Sequence, residues 1–124
     1  MEAGKRYVLM VGQTISKNRD LVMALEASGF GVVRAEDGSA GLMIASQRIN
    51  KWAALLVDQY IGDMSGDGFV ELLRVAGADI RFIACVLVDN ADEAAMEVRG
   101  GKIGMSVLTR PVQADQLLEM IAEF

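Results

Sequence analysis

Residues 53–68, Ala-Ala-Leu-Leu-Val-Asp-Gln-Tyr-Ile-Gly-Asp-Met-Ser-Gly-Asp-Gly, decide the fold. Five apolar residues, Ala53 to Val57, run without a polar break and stop at one carboxylate, Asp58. A run of this length suits a strand covered on both faces, as in a parallel sheet flanked by helices. Turn-forming residues follow from Gly62 to Gly68, and Phe69, Leu72, Leu73 and Ala76 then recur at helical spacing. Either Gly66 or Gly68 opens that helix. Asp58 therefore falls at the carboxyl end of a central strand, the edge at which open α/β sheets bind ligands. A carboxylate that merely ends a strand is the plain alternative.

Towards the N-terminus, Tyr7 to Val11 reads as an apolar strand ending at Gly12-Gln13-Thr14, with Ser16 and Asn18 offering helix N-caps. Leu21, Ala24, Leu25 and Ser28 mark one helical face, closed by Gly29. Gly31 to Ala35 is a short second strand. Glu36-Asp37-Gly38-Ser39 then makes a turn with a helix cap, and Leu42, Ala45, Ser46 and Ile49 give that helix its buried side. Towards the C-terminus, Arg81 to Val88 is the most hydrophobic strand, and Asn90-Ala91-Asp92-Glu93 reads as a capping box opening a short helix that ends at Gly100-Gly101. Met105 to Thr109 is the fifth strand. Pro111 follows, and Leu117, Met120, Ile121 and Phe124 line a final helix. Strands alternating with helices over short connections imply right-handed crossovers and a parallel sheet covered on both faces. The expected architecture is one doubly wound α/β domain over residues 1–124.

Composition narrows the function. With 52% hydrophobic and 23% charged residues, the 124-residue chain suits a single globular core. A net charge of −5 without a Lys/Arg cluster speaks against direct nucleic-acid binding. No apolar run is long enough to span a bilayer and no leader segment is expected, so a cytoplasmic location is expected. The single cysteine, Cys85, lies in an apolar run and has no intrachain partner, which suits a buried thiol in a reducing compartment. Histidine is absent, which removes His-based catalysis and His metal sites.

Four segments together resemble the receiver domain of bacterial two-component response regulators: Leu25-Glu26-Ala27-Ser28-Gly29-Phe30, Ala35-Glu36-Asp37-Gly38, Val57-Asp58 with Gly62-Asp63-Met64-Ser65-Gly66 behind it, and Leu108-Thr109-Arg110-Pro111-Val112. The resemblance covers essentially the whole chain. It implies a flavodoxin-like (βα)5 fold with a five-stranded parallel sheet in the order 2-1-3-4-5, and a non-enzymatic place in a phosphorelay. In that family a histidine kinase passes a phosphoryl group to an aspartate with magnesium assisting. The phospho-acceptor position matches Asp58. The acidic pair that helps hold the metal is replaced by Gly12 and Gln13, the hydroxyl ending the fourth strand by Val88, the lysine before the proline by Arg110, and the switching aromatic of the fifth strand by Val107.

These departures carry physical weight. Magnesium demands near-octahedral oxygen ligation and gives up its water reluctantly. Here its candidate ligands reduce to Asp58, the Tyr60 carbonyl and the neutral Gln13 amide, so the expectation is no cofactor, or magnesium held weakly. Asp63 and Asp67 are nearby in sequence, although turn capping is the simpler role for both. Phosphoryl transfer rests on positioning and charge neutralisation, for which Arg110 is the cation at hand. Arg110 has two readings, a bidentate fork onto Asp58 or an ordinary solvated strand-end arginine. In the family the bond matching Arg110–Pro111 is often cis.

The sequence thus points to a degenerate receiver, with metal-dependent phosphotransfer lost or severely weakened, that works through protein contacts. Its expected partner is a histidine kinase or another signalling protein, with a homodimer through residues 91–124, where Met96, Met105 and Met120 fall, as a further arrangement. Trp52 and Tyr60 are placed near the active edge, packing being the ordinary role for Trp52. Two alternatives stay open. One is a working phospho-acceptor at Asp58; the other is a flavodoxin-like small-molecule or phosphate-binding domain using the polar loop from Gly12 to Asn18.

Overall fold

The apolar runs become the strands of one parallel sheet. The computed structural model describes residues 6–47, 52–75, 83–88, 106–109 and 112–123. Strands β1 (Tyr7–Val11), β2 (Gly31–Ala35), β3 (Trp52–Asp58), β4 (Ile83–Val88) and β5 (Ser106–Thr109) pair in parallel in the order β2-β1-β3-β4-β5. Parallel neighbours require crossovers, and helices α1 (Arg19–Ala27), α2 (Gly38–Gln47) and α3 (Gly66–Val75) follow β1, β2 and β3 in turn. A C-terminal helix spans Ala114–Glu123. The short helix expected within residues 90–100 lies outside the described residues, as do Met105, Arg110, Pro111 and Phe124.

Side chains alternate across a strand, so each interior strand feeds two cores. Val8 and Met10 of β1 join Ala54 and Leu56 of β3 on one face, under Leu21, Val22 and Leu25 of α1 and Leu117 and Ile121 of the C-terminal helix. Leu9, Val11, Leu55 and Val57 fill the other face with Phe69, Val70 and Leu73 of α3. Gly41 of α2 is buried on that side, and a Cβ there would meet Phe69 Cζ and Val11 Cγ2 at 3.0 Å. The missing side chain lets α2 seat directly on β1 and α3.

Three expectations of facing are corrected. Val22 rather than Ser28 completes the inner face of α1, because Ser28 is the exposed C-cap of that helix. In α3, Val70 takes the buried place expected for Leu72, which is 45% exposed, because the face centres on Phe69 and Leu73 and leaves Leu72 on its flank. Trp52 opens β3 and so lies at the far end of that strand from Asp58. There it packs edge-on against Tyr7, with ring centroids 6.4 Å apart, and a parallel strand directs its first residue away from the edge its last residue reaches.

Phe69 is fully buried between α2, α3 and the sheet. Phe69→Ala is expected to cost about 3–5 kcal/mol in urea unfolding, and Leu72→Ala less than about 1 kcal/mol. Equal costs would mean that α3 presents a different face from the one described.

Candidate functional site

The carboxyl ends of β1 and β3 lie side by side, since Val11 pairs with Val57, and the next residue of each strand is therefore Gly12 or Asp58. Asp58 is only 3% exposed. Its Oδ2 accepts the backbone N–H of Thr14 at 2.9 Å and of Ile15 at 3.2 Å. These N–H groups open a short 3₁₀ helix, Ile15–Lys17, whose N-cap Thr14 makes no side-chain cap bond. Helix starts leave backbone donors without partners. Here a carboxylate more than forty residues away in sequence supplies the acceptor, and an ionised acceptor makes such bonds shorter and stronger.

Gly12 makes this contact sterically feasible. Its φ of 129° lies where side chains are strained, and a Cβ would sit 2.6 Å from Asp58 Cγ and closer still to Oδ2. The Gly12 N–H donates to the Ala35 carbonyl at 2.9 Å, and its carbonyl accepts from Ser16 N–H at 3.2 Å, so the loop folds back over the end of β3. Ile15 is buried in the α1-side core and Ser16 is buried beside it. Of the two expected caps, Asn18 serves: its Oδ1 accepts the Leu21 N–H at 3.1 Å, whereas Ser16 lies inside the 3₁₀ helix. The N–H groups of Thr14 and Ile15, which a phosphate-cradling loop would offer to a ligand, face the chain's own carboxylate.

On its other side Asp58 meets α3. The Gly66 N–H donates to the Gln59 carbonyl at 2.8 Å, and a Cβ on Gly66 would collide with the Asp58 carbonyl oxygen. Gly66 is thus the glycine that opens α3, while Gly68 lies within the first turn with its N–H held by Ser65 Oγ at 3.1 Å. Tyr60 and Ser65 form an antiparallel bridge across the intervening turn. Ile61 anchors that turn in the core, and Tyr60 projects at the site's edge, 75% exposed.

Asp63 takes the capping role expected of it, with a remote partner. It reaches the start of α2, accepting the Gly38 N–H at 2.9 Å on Oδ1, and the Ser39 N–H at 3.1 Å and hydroxyl at 3.0 Å on Oδ2. Asp37 makes the local cap, accepting the Ala40 N–H at 2.9 Å. The Gly38 N–H above all holds the Asp63 carboxyl below its ordinary value; partial desolvation opposes this and the Ser39 donors add to it. Asp67 lies in the first turn of α3, where a carboxylate suits the helix dipole.

Comparison with known proteins follows the same lines. No family profile matches the chain. Over 118 residues it is 31% identical to the acid tolerance regulatory protein ActR of Sinorhizobium medicae, and 30% identical to that of Rhizobium meliloti. Each alignment takes in 95% of this chain and 59% of the relative, so the chain spans little more than half the length of the curated proteins it matches. Among solved structures, chemotaxis protein CheY4 of Vibrio cholerae superposes with a TM-score of 0.80 at 22% identity, covering 96% of this chain and 98% of that one. A response regulator receiver domain from Clostridium thermocellum gives 0.79 at 19% identity, covering 95% and 92%. The chain has the fold of a response-regulator receiver domain.

Within the receiver fold, Asp58 stands at the end of β3, and Gly12 beside it offers no side-chain donor. Gln13 follows, exposed. Val88 closes β4, one residue beyond Leu87, the partner of Asp58, and Val107 lies in β5 opposite Val86. Their backbones are described; their side chains, and Arg110, lie outside the described residues. Among the described residues no group of three or more His, Cys, Asp or Glu side chains is placed to hold a metal ion. Sequence reasoning read the backbone donors of this loop, in one alternative, as a phosphate cradle and missed that Asp58 takes those of Thr14 and Ile15, a pairing that leaves no mark in residue type. The one trace was the glycine at position 12.

Because the Asp63 carboxyl titrates below its unfolded value of 3.8, its contribution is present above that value and fades as pH falls through the lower folded value. Asp63→Asn is therefore expected to lower the urea midpoint at neutral pH, with the gap to wild type narrowing as pH falls below 3.8 through the lower folded value. A gap independent of pH would show that the carboxylate's charge contributes nothing to the α2 contact.

Proposed function

We propose that this domain is a degenerate receiver, a non-enzymatic signalling module in which metal-dependent phosphotransfer to Asp58 is lost or severely weakened. The observation that carries the reading is the pair of N–H bonds from Thr14 and Ile15 to Asp58 Oδ2, closed beneath a residue with no side chain. To accept a phosphoryl group, a carboxylate oxygen must meet phosphorus in line, with cations offsetting the charge. Asp58 is buried and one of its oxygens is engaged by the loop.

The donors present do not suit magnesium. Beside the Asp58 carboxylate, Gly12 supplies none, Gln13 supplies a neutral amide oxygen, and the Tyr60 carbonyl adds one more, leaving one charged ligand for a cation that demands near-octahedral oxygen ligation and gives up its water reluctantly. Val88 has no hydroxyl to bind or sense a phosphoryl oxygen, and Arg110 stands where the family places lysine. Signalling then passes through protein contacts, with a histidine kinase or another signalling protein as partner and residues 91–124 as the surface for self-association. The likeness to the acid tolerance regulatory proteins supports a place in a regulator. A net charge of −5 disfavours nucleic-acid binding by this domain itself. No helix among the described residues is long and apolar enough to cross a membrane, and a cytoplasmic setting suits the single cysteine.

Amide NMR spectra recorded with magnesium and then beryllofluoride, which stands in for a phosphoryl group on aspartate, test the reading. Unchanged spectra at millimolar magnesium and excess beryllofluoride are expected. Shifts spreading from Asp58 towards residues 90–112 would instead establish a working phospho-acceptor, and phosphodonor labelling of wild type against Asp58→Asn would then measure it.

A further inference from the structure

We infer that residues 12–17 form a latch closed on Asp58, so that the state of this one carboxylate decides whether the β1–α1 loop and the start of α1 hold their places. The inference extends the reading above and rests on it for its place in signalling. Its geometry is a continuous relay. Asp58 Oδ2 holds the N–H groups of Thr14 and Ile15; the 3₁₀ turn they open returns Lys17 N–H to the Thr14 carbonyl at 3.2 Å and Asn18 N–H to the Ile15 carbonyl at 3.1 Å; Asn18 then caps α1 at Leu21. Ile15 sits in the core with Leu21 and Leu117, so lifting the loop withdraws a buried side chain from under α1 and the C-terminal helix.

Two features make the latch close tightly. A side chain on Gly12 would overlap the carboxylate, so the loop backbone lies directly on Asp58. On the far side, Gly66 lies against the Asp58 carbonyl, so the residue has little room to retreat. Any group larger than a proton added at Oδ2 must displace the loop, and loss of the carboxylate strands two N–H groups, one of them on a buried residue. Where the resemblance places a hydroxyl ending the fourth strand and an aromatic in the fifth, this sequence has Val88 and Val107. This loop gives Asp58 a route to a surface, since its Gln13, Thr14 and Lys17 are exposed.

Hydrogen exchange of individual amides in wild type, Asp58→Asn and Asp58→Ala, read alongside urea stability, tests the latch. In wild type the Thr14 and Ile15 amides are expected to be protected. In Asp58→Ala their exchange is expected to rise on the order of ten-fold or more beyond any rise at Leu9 and Leu56 in the sheet interior. Asp58→Asn, which keeps one carbonyl oxygen, should fall between. Thr14 and Ile15 amides that exchange at unprotected rates in wild type overturn the latch, and this arm stands even if Asp58→Ala does not fold. Exchange in Asp58→Ala that rises no more than at Leu9 and Leu56 overturns it as well. The measurement needs neither magnesium nor a phosphodonor, so a beryllofluoride response would refute the silent-site reading while leaving the latch to be judged by exchange alone.

Discussion

The contact of the Asp58 carboxylate with two backbone N–H groups sets the conditions for everything around it. A buried carboxylate is costly unless donors surround it, and the start of a 3₁₀ helix is a set of donors without acceptors. Each answers the other's deficit. The arrangement works because β1 and β3 are neighbours in register, which brings the loop after one strand over the end of the next. It also requires that nothing project from position 12, and a glycine with φ of 129° meets that condition. On the opposite side Gly66 removes the obstacle to α3, which starts against the Asp58 carbonyl. Two glycines thus allow one aspartate to be gripped from both sides.

The receiver fold is present here with Gly12 and Gln13 beside Asp58, where the resemblance places an acidic pair. That combination is physically reasonable, because the fold rests on two apolar cores while the chemistry rests on a few side chains at one edge. Val8, Met10, Leu55 and Val57 are indifferent to whether Gly12 carries a carboxylate. The carboxyl edge is different. With no side chain at position 12, the loop backbone lies directly on Asp58. At this edge the contacts to Asp58 Oδ2 come from the backbone N–H groups of Thr14 and Ile15.

Much of this was legible beforehand, and the failures share a cause. Apolar runs at Tyr7 to Val11 and Ala53 to Val57 announced buried strands, and their alternation with helical periodicity implied the parallel sheet that forms, while its strand order came from the resemblance. Asn18 as a cap and Gly29 as a helix end follow local rules of backbone donors and φ, and both hold. The errors lie where the deciding partner is remote in sequence. Leu72 and Val70 are equally apolar, and only the seating of α3 on the sheet selects between them. Trp52 follows from strand direction. Asp63 sits in a turn whose local rules favour self-capping, yet the N-terminus of α2 offers it three donors.

By itself, then, the sequence determined the fold class, the position of Asp58 at a strand end and, through its resemblance, the strand order. These are matters of residue type and spacing, and spacing is local. Only the tertiary structure decided what Asp58 touches. Backbone N–H groups are carried by almost every residue and are invisible in a string of side chains, so their assignment to a distant carboxylate emerges when β1 and β3 are laid side by side.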